Sequence, residues 1–386
     1  MFGAQKQASA APTGHLTYVH DTQVDPTGKF IATCSSDRTL KIFGRLDAFS
    51  SMLPGLGGKA SKNINGCPWV ELCSRTDHSA TIHKVAWSHP SYGQYVATAS
   101  ADRTVLIYRL APQKDSKTET VKMVLEQYQS ILLYQYDTLS DIAFAPRHHE
   151  FTLAVACNDG CLRLFDAPKA QEIAKISPPS PDGGRSLPPA LLSIAWCPSL
   201  SESSMTLICG SIDGSVVIRQ YDREASDWSV AQIVSMNSPG IAAAANTTVN
   251  NNSSLGGAAD SDPSLVRGSI GRPSNASAAG GAANNGSTVS LNHDGPVTCV
   301  VWAPSCGRRY ELIASCCNRS LQIARLYPSD KGVYRCQLWR STSDGYTRLA
   351  WNSTGTLLAA IRDSDGEATT FKASEDSLTW EPCATL

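Results

Sequence analysis

The sequence lacks the pieces from which most catalytic and metal sites are built. It has no Cys-x-x-Cys pair, no Gly-x-Ser-x-Gly and no complete His-Glu-x-x-His. A zinc ribbon, a thioredoxin-like dithiol, a nucleophile elbow and a zincin helix are thereby excluded. His148-His149-Glu150 opens like the last of these, but Leu153 stands where the second histidine belongs. Gly57-Gly58-Lys59 is followed by Ala60 instead of Ser or Thr, so it is no phosphate loop. Cys157 and Cys161 flank the Asn158-Asp159-Gly160 turn, two ligands short of a tetrahedral site. No catalytic residue, cofactor or metal is expected.

An excess of either charge is also missing. The chain has 33 Lys and Arg against 34 Asp and Glu, interspersed, for a net charge of -1. Bulk attraction to nucleic acid or to an acidic membrane is not part of its chemistry. Arg308 and Arg309, with Arg335, Arg340 and Arg348, lack the aromatic interleaving that base stacking needs and read as solvated loop residues. No apolar run reaches bilayer length, and residues 1–9 lack the apolar core of a signal peptide. A soluble intracellular protein is expected, with the sequons at Asn246, Asn275 and Asn352 unmodified. The 13 cysteines, an odd number, agree, because Cys34, Cys209, Cys299 and Cys316 sit in apolar strand patterns as reduced cysteines do.

What the sequence does have is a phrase that returns. Ala32-Thr33-Cys34-Ser35-Ser36-Asp37-Arg38-Thr39-Leu40-Lys41-Ile42-Phe43 reads as strand, tight turn and strand. It recurs from Ala97 to Tyr108, and more loosely from Ala154 to Phe165. Recurrence at this spacing signals a repeat architecture. Six units of four strands follow, at about 15–75, 78–136, 137–178, 190–235, 293–340 and 344–386. Such units make an all-β fold, a six-bladed β-propeller spanning 15–386. The outer strand of the fourth unit is expected at Trp228 to Val234. Residues 1–14 are expected to be disordered. Residues 237–291, rich in Ala, Asn, Gly and Ser and without aromatics, read as a disordered insertion that buries too little surface to offset its ordering entropy.

The turn aspartates Asp37, Asp102, Asp159 and Asp213 occupy the same place in each phrase. One group copied around a ring is not a catalytic centre, so each is expected to tie its own turn to neighbouring donors.

The spacing and the Asp turn resemble WD repeats, with Phe43, Tyr108, Phe165 and Tyr221 where the tryptophan would stand and His15, His78 and His293 ahead of first strands. Further phrases resemble one branch of that family, which holds the Seh nucleoporins and the propeller called Sec-thirteen. His20-Asp21 before the opening phrase and Ala86-Trp87-Ser88-His89-Pro90-Ser91-Tyr92-Gly93 resemble both. Ile142-Ala143-Phe144-Ala145-Pro146, the stretch from Asp159 to Pro168, and the stretch from Ala350 to Ala359 are similar to the Seh version.

The resemblance implies a non-enzymatic scaffold of the Y-shaped complex of the nuclear pore, serving transport of protein and mRNA. Its partners would be other nucleoporins of that complex, including an α-solenoid nucleoporin that supplies a blade in trans. A peripheral place on the vacuolar membrane, in a nutrient-signalling complex acting on TOR, is also implied. The alternative is a COPII coat subunit or another WD adaptor that binds peptides. The strand order agrees with an open ring, since neither unit one nor unit six has a strand to spare for a clasp. Leu16, Tyr18, Phe371 and Trp380 are the expected partner-binding residues at that gap.

Overall fold

In a computed structural model the described residues are 13–45, 69–114, 121–133, 138–178, 188–199, 205–235, 289–329, 332–341, 345–362, 364–374 and 379–385. They form six sheets, each with the four strands of its blade antiparallel and in chain order, and blade five carries a fifth strand in parallel on its rim. Blade one is β1 Val19–Val24, β2 Phe30–Ser35, β3 Leu40–Arg45 and β4 Trp69–Arg75. Blade two is β5 Ile82–Trp87, β6 Tyr95–Ser100, β7 Thr104–Lys114 and β8 Val121–Leu132. Blade three is β9 Leu139–Phe144, β10 Thr152–Cys157, β11 Leu162–Asp166 and β12 Gln171–Ile176. Blade four is β13 Leu191–Trp196, β14 Thr206–Ser211, β15 Val216–Asp222 and β16 Asp227–Val230. Next comes β17 Gln232–Ser235, then blade five: β18 Val297–Trp302, β19 Glu311–Cys317, β20 Ser320–Pro328 and β21 Val333–Ser341. Blade six is β22 Tyr346–Trp351, β23 Leu357–Arg362, β24 Ala368–Ala373 and β25 Trp380–Thr385. This is the expected all-β, six-bladed propeller.

Burial grades from the axis outward and explains the sequence pattern. The second strands β10, β14 and β19 are buried at every position, so they read as continuous apolar runs. Outer strands such as β12 and β16 are mostly exposed and carry little apolar signal. The expected outer strand of unit four proves to be two strands. Trp228 pairs with Tyr221 in blade four, whereas Ile233 and Val234 pair in parallel with Tyr334 and Arg335 on the rim of blade five. There they are buried to 7% and 8% exposure, which rewards the crossing. The expected insertion lies outside the described residues except at 289–291. At that end the Val289 amide donates to the Ile233 carbonyl (3.0 Å) and Leu291 is buried. Residues 1–12 lie outside the described residues.

Five apolar clusters hold the blades together, each spanning two neighbours: one and two, two and three, three and four, four and five, five and six. Among the described residues no such cluster joins blade six to blade one. Indoles add a backward link, Trp87 donating to the Gln23 carbonyl and Trp196 to the Ala143 carbonyl, each at 3.0 Å. In blade one the corresponding last residue of the first strand is Val24, which is 55% exposed.

Candidate functional site

The repeated turns come first, because they could be mistaken for chemistry. In blade one, Asp37 accepts from the Leu16 amide (2.9 Å), the Thr39 amide (2.9 Å) and the Thr39 hydroxyl, and lies 3.0 Å from His15 Nδ1. The other imidazole nitrogen meets Thr33 Oγ1 at 2.8 Å. Blade two repeats this with Asp102, His78, Thr104 and Thr98. Burial alone would raise these carboxyls. The donors overcome it, holding Asp37 well below the usual range and Asp102 at about 2.

The residue after the aspartate has a positive φ in each of the four turns: Arg38 (66°), Arg103 (67°), Gly160 (76°) and Gly214 (86°). At Gly214 a Cβ would run into the His293 carbonyl, so glycine is required there. Asp159 instead pairs with Arg163 (2.7 Å), and Asp213 accepts from Ser215. Each aspartate is thus engaged within its own turn, and the structure brings no two of them together.

The cysteines, histidines and arginines singled out in the sequence do not converge on a centre either. Among the described residues no group of three or more His, Cys, Asp or Glu is arranged to hold a metal ion. Cys157 and Cys161 are both buried. His149 is buried under the Tyr92 hydroxyl, which donates to its carbonyl, and burial first, then His148 and Arg223, lowers its pKa to about 4. Arg308 clasps the carbonyls of Pro304, Thr354 and Gly355, Arg340 donates to the Ser290 carbonyl, and Arg348 faces the axis. Three of the five arginines expected in solvated loops are thus held by backbone carbonyls or face the channel, and Arg335, Arg340 and Arg348 lie in strands.

The first strands surround a central channel of about 820 Å³. Every one of them carries a bulge at its second residue: His20, His83, Ser140, Leu192, Thr298 and Thr347. A bulge re-aims the following side chain. The third residues, Asp21, Lys84, Asp141, Ser193, Cys299 and Arg348, accordingly line the channel and reach sideways. Asp21 accepts from the Val85 amide (3.2 Å), Asp141 from the Ile194 amide (2.9 Å) and Ser193 Oγ from the Val300 amide (3.2 Å). Lys84 pairs with Asp141 and Arg348 with Asp21, each at 3.3 Å. Arg348 also donates to the His20 carbonyl (2.6 Å), linking blade six to blade one. This belt was not among the sites expected from the sequence. Its signal was a polar or charged third residue in five of the six first strands, with Cys299 in the remaining one.

The two sheet faces at the seam between blades six and one differ from all the others. On blade one, the register places Val24, Ile31 and Phe43 side by side. Phe43 is half-buried, whereas its counterparts Tyr108 and Phe165 are 1% and 4% exposed against the preceding blade. Leu16 and Tyr18, on the loop leading into β1, are 90% and 84% exposed. On blade six, Leu357, Ala359 and Ile361 form the face turned away from blade five, and Ile361 is 40% exposed. Phe371 and Trp380 point the other way. They are 4% and 5% exposed, packed into the cluster with blade five beside Trp339 and Trp351. Of the four residues expected at the gap, the structure leaves two accessible on blade one and commits two to the core.

Comparison with known proteins agrees with this geometry. The family model for the WD domain, G-beta repeat, matches residues 8–44 and 69–109, which hold most of blades one and two. Nucleoporin SEH1-B of Xenopus laevis is 27% identical over 241 residues, 60% of this chain and 61% of that protein. Nucleoporin SEH1-A of the same organism is 25% identical over 386 residues, covering 95% of this chain and 85% of its own. Nucleoporin SEH1 of Homo sapiens is 25% identical over 233 residues, 58% of each. No helix among the described residues is long and apolar enough to cross a membrane. The chain is a six-bladed β-propeller that matches the WD repeat in its first two blades and is similar over nearly its whole length to the Seh-type nucleoporins.

Proposed function

We propose that the chain is a non-enzymatic scaffold subunit of the nuclear pore that accepts a blade from an α-solenoid nucleoporin of the Y-shaped complex. The blade enters between blades six and one. One observation carries this reading: apolar clusters join five neighbouring pairs of blades, while Val24 and Ile361 stay exposed on the two faces of the sixth seam. Sheet faces with this much apolar surface invite a partner, and an added sheet supplies backbone pairing as well as burial.

Leu16, Tyr18, Val24 and Phe43 form the blade-one side of the surface, and Leu357 and Ile361 the blade-six side. The role is one of assembly and, through it, of protein and mRNA transport. The same surface serves a second complex of the family at the vacuolar membrane, acting in nutrient signalling to TOR. The relatives carry the nucleoporin name, which favours this reading over a coat subunit.

Hydrogen exchange of the full chain, with and without the partner that purifies with it, tests the proposal. Protection is expected in β1, β2, β22 and β23. Protection confined to blades three and four overturns it.

A further inference from the structure

The third residues of the first strands obey a rule that extends into the unfilled seam. Where that residue can accept a hydrogen bond, it takes an amide from the next blade, as Asp21, Asp141 and Ser193 do. The two cations, Lys84 and Arg348, have no lone pair to offer. Each is met instead by a carboxylate at the third position of the blade ahead, Asp141 for Lys84 and Asp21 for Arg348. Each of those carboxylates also accepts an amide from the blade beyond, Ile194 for Asp141 and Val85 for Asp21. A cation at this level thus calls for a forward carboxylate that serves two blades.

Arg348 sits at the seam with no apolar cluster behind it. Its side chain is 36% exposed, whereas that of Asp21 is 5% exposed and already belongs to the seam with blade two. We propose that the strand entering between blades six and one carries a carboxylate at its third position, and that Arg348 selects it. The inference rests on the insertion described above. On entry Arg348 leaves Asp21 for the incoming carboxylate, whose second oxygen faces the Thr22 amide as Asp21 faces that of Val85. A guanidinium suits this exchange, being permanently charged and shaped to grip a carboxylate with two parallel bonds. A strand with a lysine or an apolar residue there leaves Arg348 unpaired in a dehydrated seam and is rejected.

The test uses the full chain with the protein that accompanies it stoichiometrically, identified by mass spectrometry, its inserted segment located by hydrogen exchange. Arg348→Glu is expected to weaken the complex about tenfold or more, and Arg348→Lys by less. Replacing the carboxylate of the inserted segment by lysine is expected to restore binding to Arg348→Glu. Arg348→Gln, which removes the charge without reversing it, is the second variant, and melting of each isolated variant reports folding. Unchanged affinity of the folded variants, or an inserted segment without an acidic residue at that level, overturns the inference and leaves the insertion standing. Protection away from blades one and six removes both.

Discussion

The seam between blades two and three and the seam between blades six and one carry the same ion-pair chemistry. Lys84 to Asp141 and Arg348 to Asp21 are both 3.3 Å contacts at the same level of the channel. Behind the first lie Ile107, Leu139, Val155 and Phe165, and at its lower rim Tyr92 stacks on Phe151 with ring centroids 4.7 Å apart. Behind the second, Val24 and Ile361 remain exposed. The comparison teaches that a charge pair marks a seam without closing it. Desolvation of such enclosed charges offsets much of their attraction, whereas each fully buried Leu, Ile or Phe contributes about 1.5–3 kcal/mol.

The largest test of that contrast sets a side chain of the closed seam between blades five and six against two at the open seam on blade one. Phe371→Ala empties the cluster with blade five and is expected to cost about 3–5 kcal/mol of stability, read by urea unfolding. Tyr18→Ser and Leu16→Ser, on exposed surface, are expected to change stability by about 0.5 kcal/mol at most while weakening partner binding. A stable Phe371→Ala that lost its partner would return that residue to the interface.

A smaller effect compares the turns of blades two and five. Asp102→Ala, which removes the acceptor of Ser79, Thr104 and His78, is expected to cost on the order of 1–3 kcal/mol. The two turns also differ in acid. In blade five His293 meets Ser315 and Ser320 where blade two has an aspartate, and burial, then Arg340, lowers it from 6.5 to about 4, against Asp294. The unfolded chain takes up that proton more readily, so the stability it gives is full above 6.5 and lost as pH falls toward 4. Asp102 is lowered from 3.8 to about 2, so its contribution is full above 3.8 and lost only as pH falls toward 2. Urea midpoints taken from pH 7 to 2 are expected to fall in these two stages. Asp102→Asn is expected to shrink the second stage, which Asp37 shares, and to leave the first unchanged; a single stage in the unaltered chain would show that the turns titrate together.

The smallest effect concerns residues 237–288. Their two flanks meet where the Val289 amide bonds the Ile233 carbonyl, so a short linker spans the same ends. Deletion is expected to leave the melting temperature within a few degrees, since loop length costs only roughly 0.6 kcal/mol per doubling. Loss of soluble protein on deletion would show that the segment is needed for the fold.

Local structure was legible in the sequence because its causes are local. The turn from Ser35 to Thr39 is made by its own hydroxyl, carboxylate and positive-φ residue, so its recurrence at Asp102, Asp159 and Asp213 announced the blades. The period of two likewise showed which residues share a face, as Leu358 does with Phe371. Which neighbour that face meets is not local. The alternation that put Phe371 and Ile361 on opposite sides was readable, but only the direction of the ring sent Phe371 to blade five and Ile361 to the seam. The same holds for β17, whose Ile233 and Val234 look like the end of a blade-four strand until blade five offers them burial.

The sequence by itself determined the repeat, its turns and the count of blades, since hydrogen bonds within a hairpin need only residues close in the chain. The tertiary structure decided the belt of third residues and the partners of each seam. Asp21 and Arg348 lie 327 positions apart, and only closure of the ring brings them to 3.3 Å.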